Sequence, residues 1–270
     1  MMTCSLIITT YNWEEALQQV LSSCATQTRL PDEIIIADDG SSEKTKKVIE
    51  KFSHENPTLH IIHSWQEDLG FRASMSRNRA IAKAKGEYII LIDGDICLHQ
   101  NFIQDHLSFA KKGFFTQGTR VLVEKNLTQK IFQAKKLALN FFSQGIKNRK
   151  NTLHSKFLSA LFSTQKSHLK GIKTCNLAFF KKDCLAINGF NEDFVGWGRE
   201  DSEFAVRLLN YGIKRHDIRF HAIAYHLYHP ENTRASLPQN DAILKNTIEQ
   251  KLIWCNNGIN KYLKGLDNES

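Results

Sequence analysis

The sequence predicts an α/β fold, a mostly parallel central sheet flanked by helices, and three observations carry that reading. Over the first hundred residues short apolar runs alternate with stretches of helical periodicity, the pattern of strands joined by crossover helices. One run, Tyr88-Ile89-Ile90-Leu91-Ile92, is apolar throughout, as strands buried on both faces are. At 270 residues and 41% hydrophobic content, the chain can bury a sizeable core without disulfides or a structural metal.

Strands are predicted at 5–9, 33–37, 59–63 and 88–92. Between the first two, Ala16, Leu17, Val20, Leu21 and Cys24 recur at helical spacing within 13–25. Ser41 or Ser42 would cap a second helix carrying Val48, Ile49 and Phe52. A third, 74–85, stops at Gly86. The result is a right-handed βαβαβ start. No G-x-G-x-x-G follows the first strand, so any nucleotide must be held in another way than by the dinucleotide fingerprint. Residues 124–170 show no strand pattern; they offer two basic amphipathic stretches, 131–146 and 157–162. An apolar strand is expected at 174–180, a helix at 199–211 ending at Gly212, a strand at 217–227, and a helical tail at 241–264 packed through Leu244, Ile248, Leu252 and Cys255.

The formal net charge of +8 is uneven: Lys125 to Lys182 holds thirteen Lys or Arg and no Asp or Glu. Such a segment faces an anionic membrane, a phosphorylated substrate or nucleic acid, or is simply a solvated face. Nucleic acid is disfavoured, because the basic residues are not interleaved with a stacking aromatic set and no DNA- or RNA-binding motif is present. The six cysteines are scattered without C-x-x-C or zinc-like spacing and read as reduced, mostly buried thiols. No apolar run approaches a membrane span, and the start of the chain has no secretory pattern, so a cytoplasmic location is expected, with peripheral membrane contact through the basic segment.

Asp93-Gly94-Asp95 follows the most apolar run. Residues two apart on an extended chain share a side, so both carboxylates are expected to converge at the carboxyl end of the sheet, where open α/β folds bind ligands. Oxygen ligands of this kind suit Mn²⁺ or Mg²⁺, which neutralise a leaving pyrophosphate; an Asp-Gly turn that merely ends a strand is the plainer alternative. Asp38-Asp39-Gly40-Ser41 closes the second strand, where a carboxylate can accept from a ribose or a base edge. Gly196-Trp197-Gly198-Arg199-Glu200-Asp201 opens the 199–211 helix, on which Asp201 shares a stripe with Phe204, Ala205 and Leu208. That places Asp201 toward the core, where burial raises and the helix N-terminus lowers its pKa, leaving a poorly hydrated base. Glu200, about 100° around the helix, would bind acceptor hydroxyls, and Trp197 offers an apolar face to a pyranose ring. Glu203 reads as a first-turn acid that stabilises the helix dipole. His221, His226 and His229 cluster near one strand, and a neutral imidazole among them could complete a metal shell begun by Asp95. Arg72, Arg77 and Arg79 could clamp phosphate oxygens.

Together these residues resemble the family 2 glycosyltransferases with the GT-A fold. The resemblance lies in Ile7-Ile8-Thr9-Thr10-Tyr11-Asn12, Asp38-Asp39-Gly40-Ser41, Arg77-Asn78, Gly86-Glu87-Tyr88-Ile89 and Asp93-Gly94-Asp95. The segment from Asn188-Gly189-Phe190 to Glu203 is similar to the C-terminal motif of β-1,4-galactosyltransferases and of chondroitin-polymerase-type domains. The likeness runs from about Ser5 to His229, apart from the basic middle. It implies an inverting transfer in which Asp201 deprotonates the acceptor hydroxyl as a metal-bound diphosphate departs. It implies that Thr9, Tyr11 and Asp39 hold the uridine of a UDP-sugar with Arg72, Arg77, Asp93 and Asp95 around the donor, and that Tyr225-His226 supplies a metal ligand, His226, beside Asp95. It also implies one GT-A domain: a nucleotide-sugar-binding half (1–123), a basic helical insertion (124–172), an acceptor half (173–232) and a C-terminal helical tail (233–270). Two departures stand out: Thr174-Cys175 replaces the paired glycines often found before Asn176, and Arg199-Glu200 follows Gly198 in place of a second glycine pair. Similar arrangements occur in bacterial enzymes that extend lipopolysaccharide or lipooligosaccharide cores. The competing class is a non-catalytic nucleotide-sugar-binding scaffold, against which the three acidic sites argue.

Overall fold

The apolar runs become the central strands. In the computed structural model, which describes residues 2–135, 137–169, 171–230 and 233–263, strand β1 (Cys4–Thr10) leads through helix α1 (Glu14–Ala25) to β2 (Glu33–Asp38). Helix α2 (Glu43–Glu55) leads to β3 (Ile61–Trp65), and α3 (Ala73–Lys83) to β4 (Tyr88–Asp93). The turn Gly94-Asp95 opens β5 (Ile96–Leu98), followed by α4 (Phe102–Phe109), β6 (Phe114–Gln117), β7 (Arg120–Val123), α5 (Lys125–Ala134), β8 (Ile146–Lys147), α6 (Lys156–Phe162) and β9 (Thr164–Lys166). The chain continues through β10 (Leu177–Phe180), α7 (Lys181–Ala186), α8 (Glu200–Asn210), β11 (Lys214–Asp217), β12 (Ala224–His226), α9 (Leu237–Glu249) and α10 (Asn260–Leu263).

The main sheet has the order β3-β2-β1-β4-β10-β6-β11-β9. Its first four strands are parallel, and only β10 and β9 run against the rest. Both faces are covered, as the unbroken apolarity of β1, β2 and β4 demands. Leu6, Ile8, Ile34, Ile36, Ile90 and Ile92 pack toward α1 and α2; Ile7, Ile35, Ile89 and Leu91 pack on the other face with Ala80 and Ile81 of α3 and Phe204 and Leu208 of α8. A second sheet, β5-β12-β7-β8, grows from the end of β4. All six cysteines are free and buried. No helix among the described residues is long and apolar enough to cross a membrane.

Several elements differ from the sequence expectation. Strand β3 begins two residues later than predicted, because the Leu59 N–H closes a turn on the Asn56 carbonyl at 3.0 Å instead of joining the sheet. The helix expected at 131–146 lies instead at α5, ten residues ending where Lys135 turns left-handed at φ 49°; the basic segment also contributes two short edge strands, β8 and β9, that no alternation announces. The strand expected at 174–180 opens with a 3₁₀ turn over residues 174–176. The one at 217–227 is two strands in different sheets, broken by Phe220 and Ala222 at positive φ. The tail is two helices rather than one, and Ile248 and Leu252 are exposed; α9 packs through the polar residues Asn240 and Thr247, while Cys255 is buried as expected. Of the residues expected in that tail, Lys264 lies outside those described.

Candidate active site

The parallel strands deliver their acidic ends to one edge. Thr9 pairs with Asp93 across β1 and β4, and Thr10 with Asp38 across β1 and β2, so the carboxyl edge at the point where strand order reverses is lined by hydroxyls and carboxylates. Asp38 is structural: it accepts from the Ser41 amide at 2.8 Å and faces His63 Nε2 at 2.8 Å. Asp39 turns toward α3, accepting from Gln66 Nε2 at 2.6 Å and from the Arg72 amide at 2.8 Å. Burial pushes its carboxyl up to about 6 against the pull of those two donors and of Arg77. Tyr11 stands half out in solvent with its hydroxyl donating to Asp68 at 2.9 Å, and Arg72, partly exposed, reaches only the Leu69 carbonyl, at 3.5 Å.

Arg77 holds the halves of the site together. It is 4% exposed, and its guanidinium donates to Thr9 Oγ1, Asp93 Oδ1 and Glu200 Oε1, each at 3.3 Å. Burial alone would weaken its proton, but Asp93, Glu200 and Asp201 outweigh that and raise its pKa. The guanidinium is therefore a strut between the end of β4 and the start of α8, not an open clamp for phosphate. Its neighbour Asn78 ties the same helix to the Asn188-Gly189-Phe190 turn, donating to the Phe190 carbonyl at 2.7 Å and to Glu192 at 2.8 Å. Arg79 lies over the Tyr262 ring at 5.6 Å.

Asp93 and Asp95 do not share a partner, because Gly94-Asp95 is a turn and not extended strand. Asp93 goes to Arg77, while buried Asp95 places Oδ2 3.6 Å from His226 Nε2 and 3.3 Å from His229 Nε2. The ligand atoms of these three residues lie within 4.8 Å of one another. Three features suit a divalent cation. Asp95 Oδ1 is buried without a hydrogen-bond partner. Burial, then the charges of Arg120 and His229, depress His226 to about 3 and keep its imidazole neutral. His229 Nδ1 donates to the Pro230 carbonyl at 2.6 Å, which turns Nε2 toward Asp95. Burial and the charge of Asp93 raise the Asp95 carboxyl well above the ordinary range, opposed in part by Arg120. His229, which the sequence ranked below His226, is the nearer of the two. His221 stands apart from both, with Nε2 3.7 Å from Asp105.

The glycine–tryptophan turn sets the opposite wall. Gly196, Gly198 and Arg199 all have positive φ, 72°, 109° and 78°, a sharp entry that glycine tolerates at little cost. It starts α8 so that Glu200 meets Arg77 and Asp201 lies half-buried, with Oδ1 accepting from the Ser202 amide at 2.6 Å. Burial and the adjacent Glu200 push the Asp201 carboxyl up to about 7, opposed by the Ser202 N–H and Arg77. Trp197 is 39% exposed, with the Arg234 guanidinium over its ring at 5.9 Å. Helix α9 braces the turn: Asn240 Nδ2 donates to the Gly198 carbonyl at 2.9 Å. Glu203, which the sequence placed at the helix dipole, is instead 1% exposed and forked onto Arg207 at 2.7 and 2.8 Å.

With this geometry the comparisons are direct. The family model described as glycosyl transferase family 2 matches residues 5–170, more than half of the 270-residue chain. The chain belongs to that family. A second model, the N-terminal domain of galactosyltransferase, matches residues 157–230, which include the glycine–tryptophan turn and α8. This family 2 chain is 27% identical over 229 residues to validoxylamine A glucosyltransferase of Streptomyces hygroscopicus subsp. limoneus, covering 77% of this chain and 48% of that protein. It is 24% identical over 250 residues to chondroitin synthase of Escherichia coli, covering 82% of this chain and 34% of that one. It thus spans about half or less of the length of these relatives. Among solved structures, residues 1–349 of S. aureus TarS in complex with UDP match at a TM-score of 0.63 and 16% identity, over 99% of this chain and 71% of that one. The fold is the GT-A architecture that the resemblance implied.

Proposed function

We propose that this family 2 chain is an inverting, metal-dependent glycosyltransferase that moves a sugar from a UDP-sugar to a hydroxyl of a glycan acceptor. The observation that supports the reading is the Arg77 strut, which ties Asp93 at the carboxyl edge of the sheet, two residues before Asp95, to Glu200, the neighbour of Asp201. Asp201 is the base: poor hydration makes its carboxylate a better proton acceptor than one in water, while the helix N-terminus and the Ser202 amide keep the anion accessible. It takes the acceptor proton as that oxygen attacks the anomeric carbon on the face opposite the diphosphate. Glu200 and Trp197 orient the acceptor through hydroxyls and a ring face. Thr9, Tyr11, Asp39 and Arg72 border the edge where uridine would lie. A divalent cation, Mn²⁺ or Mg²⁺, held by Asp95, His226 and His229 would neutralise the departing diphosphate.

The reading extends to cell-surface polysaccharide or lipooligosaccharide synthesis at the inner face of the cytoplasmic membrane. Phe142, Phe157, Leu161 and Phe162 are exposed by 84%, 76%, 63% and 50% within a segment free of acidic residues, a combination suited to an anionic bilayer surface. A relative in Campylobacter jejuni named for a polyprenyl-linked acceptor, GalNAc(5)-diNAcBac-PP-undecaprenol beta-1,3-glucosyltransferase, supports that setting at 24% identity over 71% of this chain.

The test compares two variants in metal-dependent hydrolysis and transfer from UDP-sugars. Asp201→Asn should keep UDP and Mn²⁺ affinity and lose at least about a hundredfold in rate, the scale of general-base help, whereas Asp95→Ala should lose Mn²⁺ binding. Near-normal turnover in Asp201→Asn would move the base elsewhere.

A further inference from the structure

At the start of β7, where Arg120 pairs in register with Ala224 two residues before His226, lies a cavity of about 290 Å³ that none of the roles above uses. Its lining includes Arg120, Lys166, Lys173, Arg215, Arg219 and a single acid, Asp217. Asp217 is already shared by two of the cations, accepting from Lys166 Nζ at 2.6 Å and paired with Arg215. Among the described residues Arg120, Lys173 and Arg219 make no direct ion pair with a carboxylate. The Arg120 guanidinium donates to the weak acceptor Cys175 Sγ, at 3.5 Å. Burial, and after it the adjacent Arg120, lower the pKa of Lys173, opposed in part by Asp201.

The cavity adjoins the chemistry. Arg120 bears electrostatically on Asp95 and His226, and Lys173 on Asp201 and His226. What enters here lies within electrostatic reach of the proposed base through Lys173. The floor is polar, built from Gln117, Asn148, Asn151 and Asn176, which excludes a lipid chain. The volume sits at the small end of small-molecule sites, about 300–1,000 Å³.

Resting on the transferase reading, we propose that this cavity receives an anionic substituent, a carboxylate or phosphate monoester, carried by the saccharide that docks beside Asp201. Arg120, Lys173 and Arg219 are then specificity determinants, and a neutral sugar in the same place leaves three cations unpaired, a penalty that discriminates more sharply than a lost apolar contact. The anion has two possible carriers, the acceptor or the donor sugar.

The full chain saturated with UDP and Mn²⁺ is titrated by ligand-observed NMR with methyl glucuronide, glucose 6-phosphate and methyl glucoside. In parallel, Mn²⁺-dependent hydrolysis of UDP-glucuronate and UDP-glucose is compared. An anionic acceptor bound at least about tenfold tighter than methyl glucoside, the scale of one charge-assisted hydrogen bond, supports the proposal with the acceptor as carrier. The same preference in hydrolysis supports it with the donor as carrier. Either preference should collapse in Lys173→Gln and in the surface variant Arg219→Gln, which removes a charge without touching the core. UDP binding without any anionic preference, or a preference that both variants retain, overturns the proposal and leaves the transferase reading standing. Absence of UDP binding overturns both.

Discussion

Replacing Arg77 with methionine keeps the length and apolar stem of the side chain and removes the guanidinium that spans the cleft. The bond to Glu200 joins a 5% exposed side chain to an 11% exposed one, so its loss carries most of a broken buried pair, about 3–5 kcal/mol. The bond to Asp93, 35% exposed, is screened and adds at most about 1 kcal/mol, and the Thr9 bond contributes about 1 kcal/mol. Because these overlap, we expect a deficit of about 3–5 kcal/mol near neutral pH, or roughly 6–20 °C in Tm for a chain of this size. The deficit depends on pH with a definite sign. Asp201 already lies above its ordinary value through burial and Glu200 and is held down in part by Arg77; without Arg77 it rises further. A carboxyl whose folded pKa exceeds its unfolded one costs stability above that range and recovers it as pH falls. Urea unfolding of both proteins at about pH 7.5 and about pH 5 should therefore show the gap narrowing toward acid. A variant within about 1 kcal/mol of the parent near neutrality, below even a modest buried pair, or a gap that widens toward acid, would refute the strut.

Other expectations follow from the same geometry. The transfer rate should rise with pH through about 7 as Asp201 ionises, then level off; a rate flat from pH 5 to 8 would exclude Asp201 as the base. In Gly196→Ala a methyl lands on the Ser236 hydroxyl at a backbone φ of 72°, so acceptor KM should rise and stability fall by about 1–3 kcal/mol, measured by steady-state kinetics and thermal unfolding. Arg207→Met breaks a fully buried fork to Glu203 and frees the Ile187 and Gly189 carbonyls, and should cost about 3–5 kcal/mol in urea unfolding. His229→Ala should weaken Mn²⁺ binding by about 10–100-fold in titration calorimetry with UDP present; undiminished affinity would leave Asp95 and His226 as the ligand pair.

The parts of this molecule that were legible in sequence are those that physics repeats along the chain. Strands β1, β2 and β4 are buried on both faces, so each announces itself as an unbroken apolar run and carries its terminal acids to a predictable edge. Strands β8 and β9 are two and three residues long with mostly exposed side chains; pairing with neighbours remote in sequence creates them, and no local signal does. Helix α5 was misplaced because Leu137 and Leu139 continue its apolar period, while Lys135 ends it by backbone conformation alone. The position of Glu200 and Asp201 at the start of α8 was readable from the glycines before them. The role of Arg77 was not, since an arginine near an expected phosphate site looks the same whether it is solvated or pinned by carboxylates 16 and 123 positions away. Glu203 hid for a similar reason: at the first turn of a helix, an acid that serves the dipole and one buried against Arg207 are the same letter.

The brace from Asn240 to the Gly198 carbonyl has a temporal side. During synthesis the turn at Asp95 leaves the ribosome well before residue 240, and domains assemble as their residues emerge. The nascent chain can thus form the acidic edge of β1, β2 and β4 before its tryptophan turn has a backing, which comes only with α9.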